Sequence, residues 1–195
     1  MAQPPPGPSS ALFFFHFSST MVMVAQRRRS CPHNGSMPHE DVSRLHSWLE
    51  DHQDELLSQY RELLQVPSIE SDAEEGAPFG SANRKALDLM LTWAKECDMQ
   101  VRDLDGYCGW AEFGNGQNLV MSLGHLDVVP VGPGWKHDPF GAEIEDGYVY
   151  ARGAVDDKGP TMASFFAMRA IQACFPEIGV RMRSVFGCNE ESGFK

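Results

Sequence analysis

The chain has 195 residues, 42% hydrophobic and 22% charged, with a net charge of -11. That is enough for one domain with a substantial core, and the acidic balance argues against a nucleic-acid backbone or an anionic membrane as main partner. Five cysteines (Cys31, Cys97, Cys108, Cys174 and Cys188) are odd in number and widely spaced with no CxxC pair, which excludes a disulfide framework or a thiolate zinc site and favours reduced cysteines in a cytoplasmic protein.

Residues 1–37 read as a disordered or spurious N-terminal extension, with Met37 as the natural start. Pro4-Pro5-Pro6-Gly7-Pro8 is turn or disordered composition. The apolar run 11–25 is interrupted by His16, Ser18, Ser19 and Thr20, and it is shorter than the ~20 apolar residues a bilayer needs. Arg27, Arg28 and Arg29 follow that run rather than precede it, against the order of a secretory signal. An export or anchor segment is the alternative.

From Pro38 onward the apolar spacing becomes regular. Residues 39–65 carry Val42, Leu45, Trp48, Leu49, Leu56, Tyr60, Leu63 and Leu64 at helical intervals, with acidic residues early and Pro67 as the stop. His46 and His52 lie on this helix and read as surface residues. A second amphipathic helix spans 81–97. Short alternating segments 99–104 and 107–113, turning at Asp105-Gly106, read as a hairpin or meander leading into a buried strand at 119–123. A Pro- and Gly-rich loop covers 128–141, and a small hairpin over 142–144 and 148–151 turns at Asp146-Gly147. A buried helix is predicted at 158–175 and a strand at 181–186. Alternating helices and strands indicate an α/β class.

Three acidic blocks follow predicted strands, at the rim where open α/β sheets place their sites. In His125-Leu126-Asp127 the two polar side chains share one side of an extended segment. The Asp can then orient the imidazole toward a metal, although a structural His held by its neighbour fits as well. Asp156-Asp157 precede a helix; they can cap it, or Asp156 can bridge two cations. Glu190-Glu191 end the last strand; they can be surface residues, or one can bind a metal while the other acts as general base. Cys188 beside this block reads as a small space-filling residue or as a site-lining one. An oxygen-rich set with one His suits Zn, Mn or Co.

The segments Gly124-His125-Leu126-Asp127-Val128-Val129-Pro130, Gly134-Trp135 with Asp138-Pro139-Phe140, residues 147–161 and Asn189-Glu190-Glu191-Ser192-Gly193 resemble the M20 metallopeptidases. They look most like the PepV/Sapep-type dipeptidases. The resemblance implies that residues 38–195 are the N-terminal part of the catalytic domain: a mixed sheet flanked by helices, of zinc-peptidase type. It implies two divalent ions, Zn or Mn with Co as a third option. By that resemblance His125, Asp156 and Glu191 are metal ligands, with Asp156 bridging. Asp127 orients His125, and Glu190 is the general base in attack of metal-bound water on the peptide bond of a dipeptide, a small peptide substrate. The family's remaining ligands and its lid domain lie outside this sequence, so the chain is expected to be a truncated, inactive piece of a longer parent. Removal of acyl groups from N-acyl amino acids, or a non-catalytic remnant, are the alternatives.

Overall fold

The computed structural model describes residues 22–24 and 38–193. The reading of residues 1–37 as an extension falls outside the described residues except for β1, Val22–Val24, and Cys31 lies outside them too.

The predicted first helix is two. α1 (His39–Asp51) and α2 (Gln53–Leu64) meet at His52, whose φ of -110° and ψ of 14° leave the helical region. The cause is local. The His52 ring stacks on Trp48 with centroids 3.8 Å apart, and its Nδ1–H donates to the Trp48 carbonyl at 2.7 Å. His52 is therefore half-buried rather than a surface residue, while His46 is exposed. Acidic residues occupy the first turn of both helices, Glu40 and Asp41 in α1 and Asp54 and Glu55 in α2, where they complement the positive end of the helix dipole.

α3 (Ser81–Glu96) buries Ala86, Leu87, Met90, Leu91 and Ala94 along one stripe. It leads into the hairpin of β2 (Gln100–Leu104) and β3 (Cys108–Phe113). β4 (Leu119–His125) is not the next strand of a meander. It runs parallel to β7 (Arg181–Gly187), which lies between it and β3, giving the order β1-β4-β7-β3-β2. A parallel pair needs a crossover, and α4 (Lys158–Cys174) provides it. β4 is half-buried rather than fully buried, with Leu123 exposed. β5 (Glu143–Glu145) and β6 (Tyr148–Tyr150) form the separate small hairpin, closed by Asp146 and Gly147 at positive φ.

α3 packs on β2 and β3, and α4 on β4 and β7. A Cβ on Gly109 would meet Leu87 and Leu91 of α3, and one on Gly124 would meet Thr161 of α4. Both glycines are in register with Phe186, so the two helices share one face of the sheet. The core fills that interface with Leu87, Met90, Phe165, Phe166 and Phe186, Phe165 meeting Phe186 edge-on. The other face is polar at its centre, where Arg183 pairs with Glu112 at 2.6 Å and lies over Trp110. No helix among the described residues is long and apolar enough to cross a membrane. Cys97, Cys108, Cys174 and Cys188 are free thiols. Cys188 is buried within the core cluster and has its thiol pushed up to about 12 by that burial, which fits the space-filling reading.

Candidate metal centre

Because β4 and β7 run parallel and adjacent, their C-terminal ends emerge side by side, and the corner before α4 sits beside them. The three acidic blocks are one per segment: His125 and Asp127 follow β4, Asp156 precedes α4, and Glu190 and Glu191 follow β7.

All five predicted site residues are brought together. One ligand atom each from His125, Asp156 and Glu191 lie within 4.8 Å of one another. His125 Nε2 is 3.3 Å from Asp156 Oδ1 and 3.8 Å from Glu190 Oε2. The other imidazole nitrogen points away from this cluster. Nδ1–H donates to the Asp127 main-chain carbonyl at 3.0 Å and sits 3.4 Å from its carboxylate, so Nε2 is left facing the two acidic side chains. The Asp127 contribution to imidazole orientation thus comes through its carbonyl as much as its carboxylate.

The Asp127 carboxylate has a further task that the sequence does not announce. Its Oδ1 accepts the Glu190 N–H at 3.0 Å and its Oδ2 the Glu191 N–H at 2.9 Å. Asp127 is 1% exposed, and burial alone would raise its carboxyl. The bonds from His125, Glu190 and Glu191 outweigh burial and hold it below the usual carboxylate range. For His125 burial opposes the imidazolium, yet the Asp127 hydrogen bond and the charges of Asp127 and Asp157 prevail and raise it to about 9. Partial burial, then the charge of Asp156, lifts Glu191 above its ordinary value. One imidazole nitrogen and two crowded carboxylates are a donor set that a divalent cation fits, since a cation relieves the carboxylate repulsion that adds to burial in raising Glu191.

The surrounding residues were not legible as such. Asp156 and Asp157 are joined by a cis peptide bond. Asp157 reads from sequence as a helix cap, but its side chain makes no capping bond to α4. It is buried, accepts the His125 N–H and the Thr161 hydroxyl, and has its carboxyl pushed up by burial. Lys158 is fully buried and donates from Nζ to the carbonyls of Leu63 at 3.0 Å and Val66 at 2.7 Å. It thereby ties the corner to the end of α2, and burial pushes its ammonium down to about 7 against the pull of Asp127. The Ser68 hydroxyl donates to the Leu126 carbonyl at 2.6 Å. The Tyr60 hydroxyl donates to the Ala154 carbonyl at 2.7 Å. A lysine opening a largely apolar helix is the one available signal for this support.

Comparison with known proteins places this geometry in context. Residues 121–195 match Peptidase family M20/M25/M40. YtjP of Bacillus subtilis (strain 168), which bears a dipeptidase name, is 39% identical over 144 residues, covering 73% of this chain and 31% of that protein. The crystal structure of the M20 family metallo-carboxypeptidase Sso-CP2 from Sulfolobus solfataricus is similar with a TM-score of 0.58 and 29% identity, over 71% of this chain and 32% of that one. Human carnosine dipeptidase 1 shares the fold, with a TM-score of 0.67 at 24% identity over 78% of this chain and 35% of that one. The chain thus spans about a third of the length of the curated relatives it matches. The match to the M20/M25/M40 peptidase family thus falls on the segment that carries the acidic blocks, and the sheet that positions them is shared with an M20 family structure.

Proposed function

We propose that this chain supplies part of the active site of a metal-dependent hydrolase that cleaves the peptide bond of dipeptides, the activity belonging to the protein at the length of its relatives. The observation that carries the reading is the convergence of His125, Asp156 and Glu191, one ligand atom each within 4.8 Å, where the ends of the parallel strands β4 and β7 meet the corner before α4. These three residues would hold divalent ions, Zn or Mn with Co as a further candidate, with Asp156 shared between two of them. The bound ions would supply Lewis-acid polarisation of the scissile carbonyl and a more acidic water.

The chain's own residues would do the rest. Glu190 has a side chain 45% exposed and reaches to 3.8 Å from His125 Nε2. From there it would take the proton of the attacking water and pass it to the leaving amine. Asp127 would hold Glu190 and Glu191 in place through their N–H groups while its carbonyl fixes the imidazole. A dipeptide is favoured over a longer or acylated substrate by the dipeptidase name of YtjP.

The test has two parts. Calorimetric titration of the chain with Mn2+, Zn2+ and Co2+ should show binding that weakens at least about tenfold in Asp156→Asn and Glu191→Gln. Dipeptide hydrolysis is then followed in a chimera joining the chain to the unmatched remainder of YtjP. Glu190→Gln should keep metal binding and lose about 10²–10⁴-fold in turnover. Absence of divalent binding would sink the reading, and turnover of N-acyl amino acids without dipeptides would move it to a deacylase.

A further inference from the structure

The last residue of β4 has a backbone requirement that no strand among the described residues meets. The Leu126 N–H donates to the Gly187 carbonyl on the β7 side, and alternation along an extended strand sends the His125 N–H the opposite way. On that side, among the described residues, β1 pairs only with Val120, Met121 and Ser122, three residues short of His125. A buried N–H without an acceptor is costly. The acceptor is Asp157 Oδ2, 3.1 Å from the His125 nitrogen, and the same oxygen takes the Thr161 hydroxyl at 3.1 Å. Asp157 Oδ1 is buried and has no hydrogen-bond partner among the described residues, so the residue works through one oxygen.

Two successive carboxylates therefore hold one residue from two sides: Asp157 grips the His125 main chain, and Asp156 Oδ1 faces the His125 ring at 3.3 Å from Nε2. Close packing leaves little slack, because a Cβ on Gly124 would lie 2.9 Å from Asp157 Oδ2 and would clash with Thr161 Oγ1. We infer that Asp157 is a positioning residue that sets the spacing between His125 Nε2 and the Asp156 carboxylate, acting as a hydrogen-bond acceptor to the His125 N–H. This rests on the reading of His125 and Asp156 as metal-holding residues.

Co2+ binding to the chain, followed by calorimetry and by the visible absorption of the bound ion, tests the assignment. Asp157→Ala should lower affinity about 10- to 100-fold and change the absorption band, whereas Asp157→Asn keeps an acceptor oxygen and should stay within about threefold. If Asp157→Ala does not fold, Asp157→Ser, whose shorter side chain cannot reach the His125 N–H, takes its place under the same criterion. Equal losses in Asp157→Asn and Asp157→Ala would overturn positioning in favour of bulk charge, and unchanged affinity in Asp157→Ala would overturn it outright. Asp156→Asn serves as the control. If it too leaves Co2+ affinity untouched, or the native chain binds no Co2+, the metal reading has failed and the assignment falls with it. Loss in Asp156→Asn with none in Asp157→Ala removes only the role of Asp157.

Discussion

The carboxylate of Asp127 receives the backbone N–H of Glu191 at 2.9 Å on one oxygen, and the neighbouring N–H of Glu190 at 3.0 Å on the other. A side chain following β4 thus organises the turn following β7, sixty-odd residues later in the chain. Both oxygens are acceptors, so an amide cannot replace the carboxylate: its NH2 would face an N–H. Asp127→Asn is expected to be nearly as damaging as Asp127→Ala, each costing about 2–4 kcal/mol in urea unfolding. Asp157 uses one oxygen and should tolerate Asn. Tolerance of Asn at position 127 would contradict the two-acceptor geometry.

The metal-free protein should show a pH dependence specific to His125. Its folded value is raised from 6.5 to about 9, so the folded chain holds the proton more tightly than the unfolded one. The resulting stabilisation is complete below about pH 6.5, declines as pH rises, and is gone above about 9; it is on the order of 2–3 kcal/mol. Lys158 works in the opposite sense. Its ammonium is lowered from 10.5 to about 7, so its penalty is relieved as pH climbs between those values. The quantity to measure is therefore the difference in unfolding free energy between the native chain and His125→Gln in chelator, from pH 6 to 10. A flat difference would refute the His125–Asp127 coupling.

Lys158→Met should destabilise the chain by about 1–3 kcal/mol. The variant fills the same volume and removes a buried charge, but it takes a donor from each of the Leu63 and Val66 carbonyls, which keep the Val66 and Ser68 N–H groups. Amide exchange should rise first at the end of α2, where the anchor is lost, before the β4–β7 ladder is affected. A variant more stable than the native chain would mean that desolvation of the ammonium outweighs its two hydrogen bonds.

Gly124→Ala should cost about 1–3 kcal/mol through overpacking against α4, because the added methyl meets Thr161 Oγ1 and Asp157 Oδ2. Thr161→Ala makes room for it. In a double-mutant cycle the pair should therefore cost less than the sum of the single changes. Additive effects would show that the two residues do not share the contact.

Sequence alone sufficed wherever the information was local. The stripes of α3 and α4, the turns at Asp105-Gly106 and Asp146-Gly147, the strand ends bearing His125, Asp127, Glu190 and Glu191, and Asp156 just before a helix follow from periodicity and residue chemistry over a few positions. Tertiary structure decided everything that joins distant segments. Only folding inserts β7 between β3 and β4, because strand order is chosen by burial across the whole sheet rather than by the run of residues within one strand. Only folding turns Asp157 from an apparent helix cap into the acceptor for the His125 N–H, buries Lys158 against the end of α2, and brings Asp127 to the amides of Glu190 and Glu191. Each of these hydrogen bonds ties a side chain to a backbone group of another segment, and which side chain will reach it is settled by packing, not by spacing along the chain.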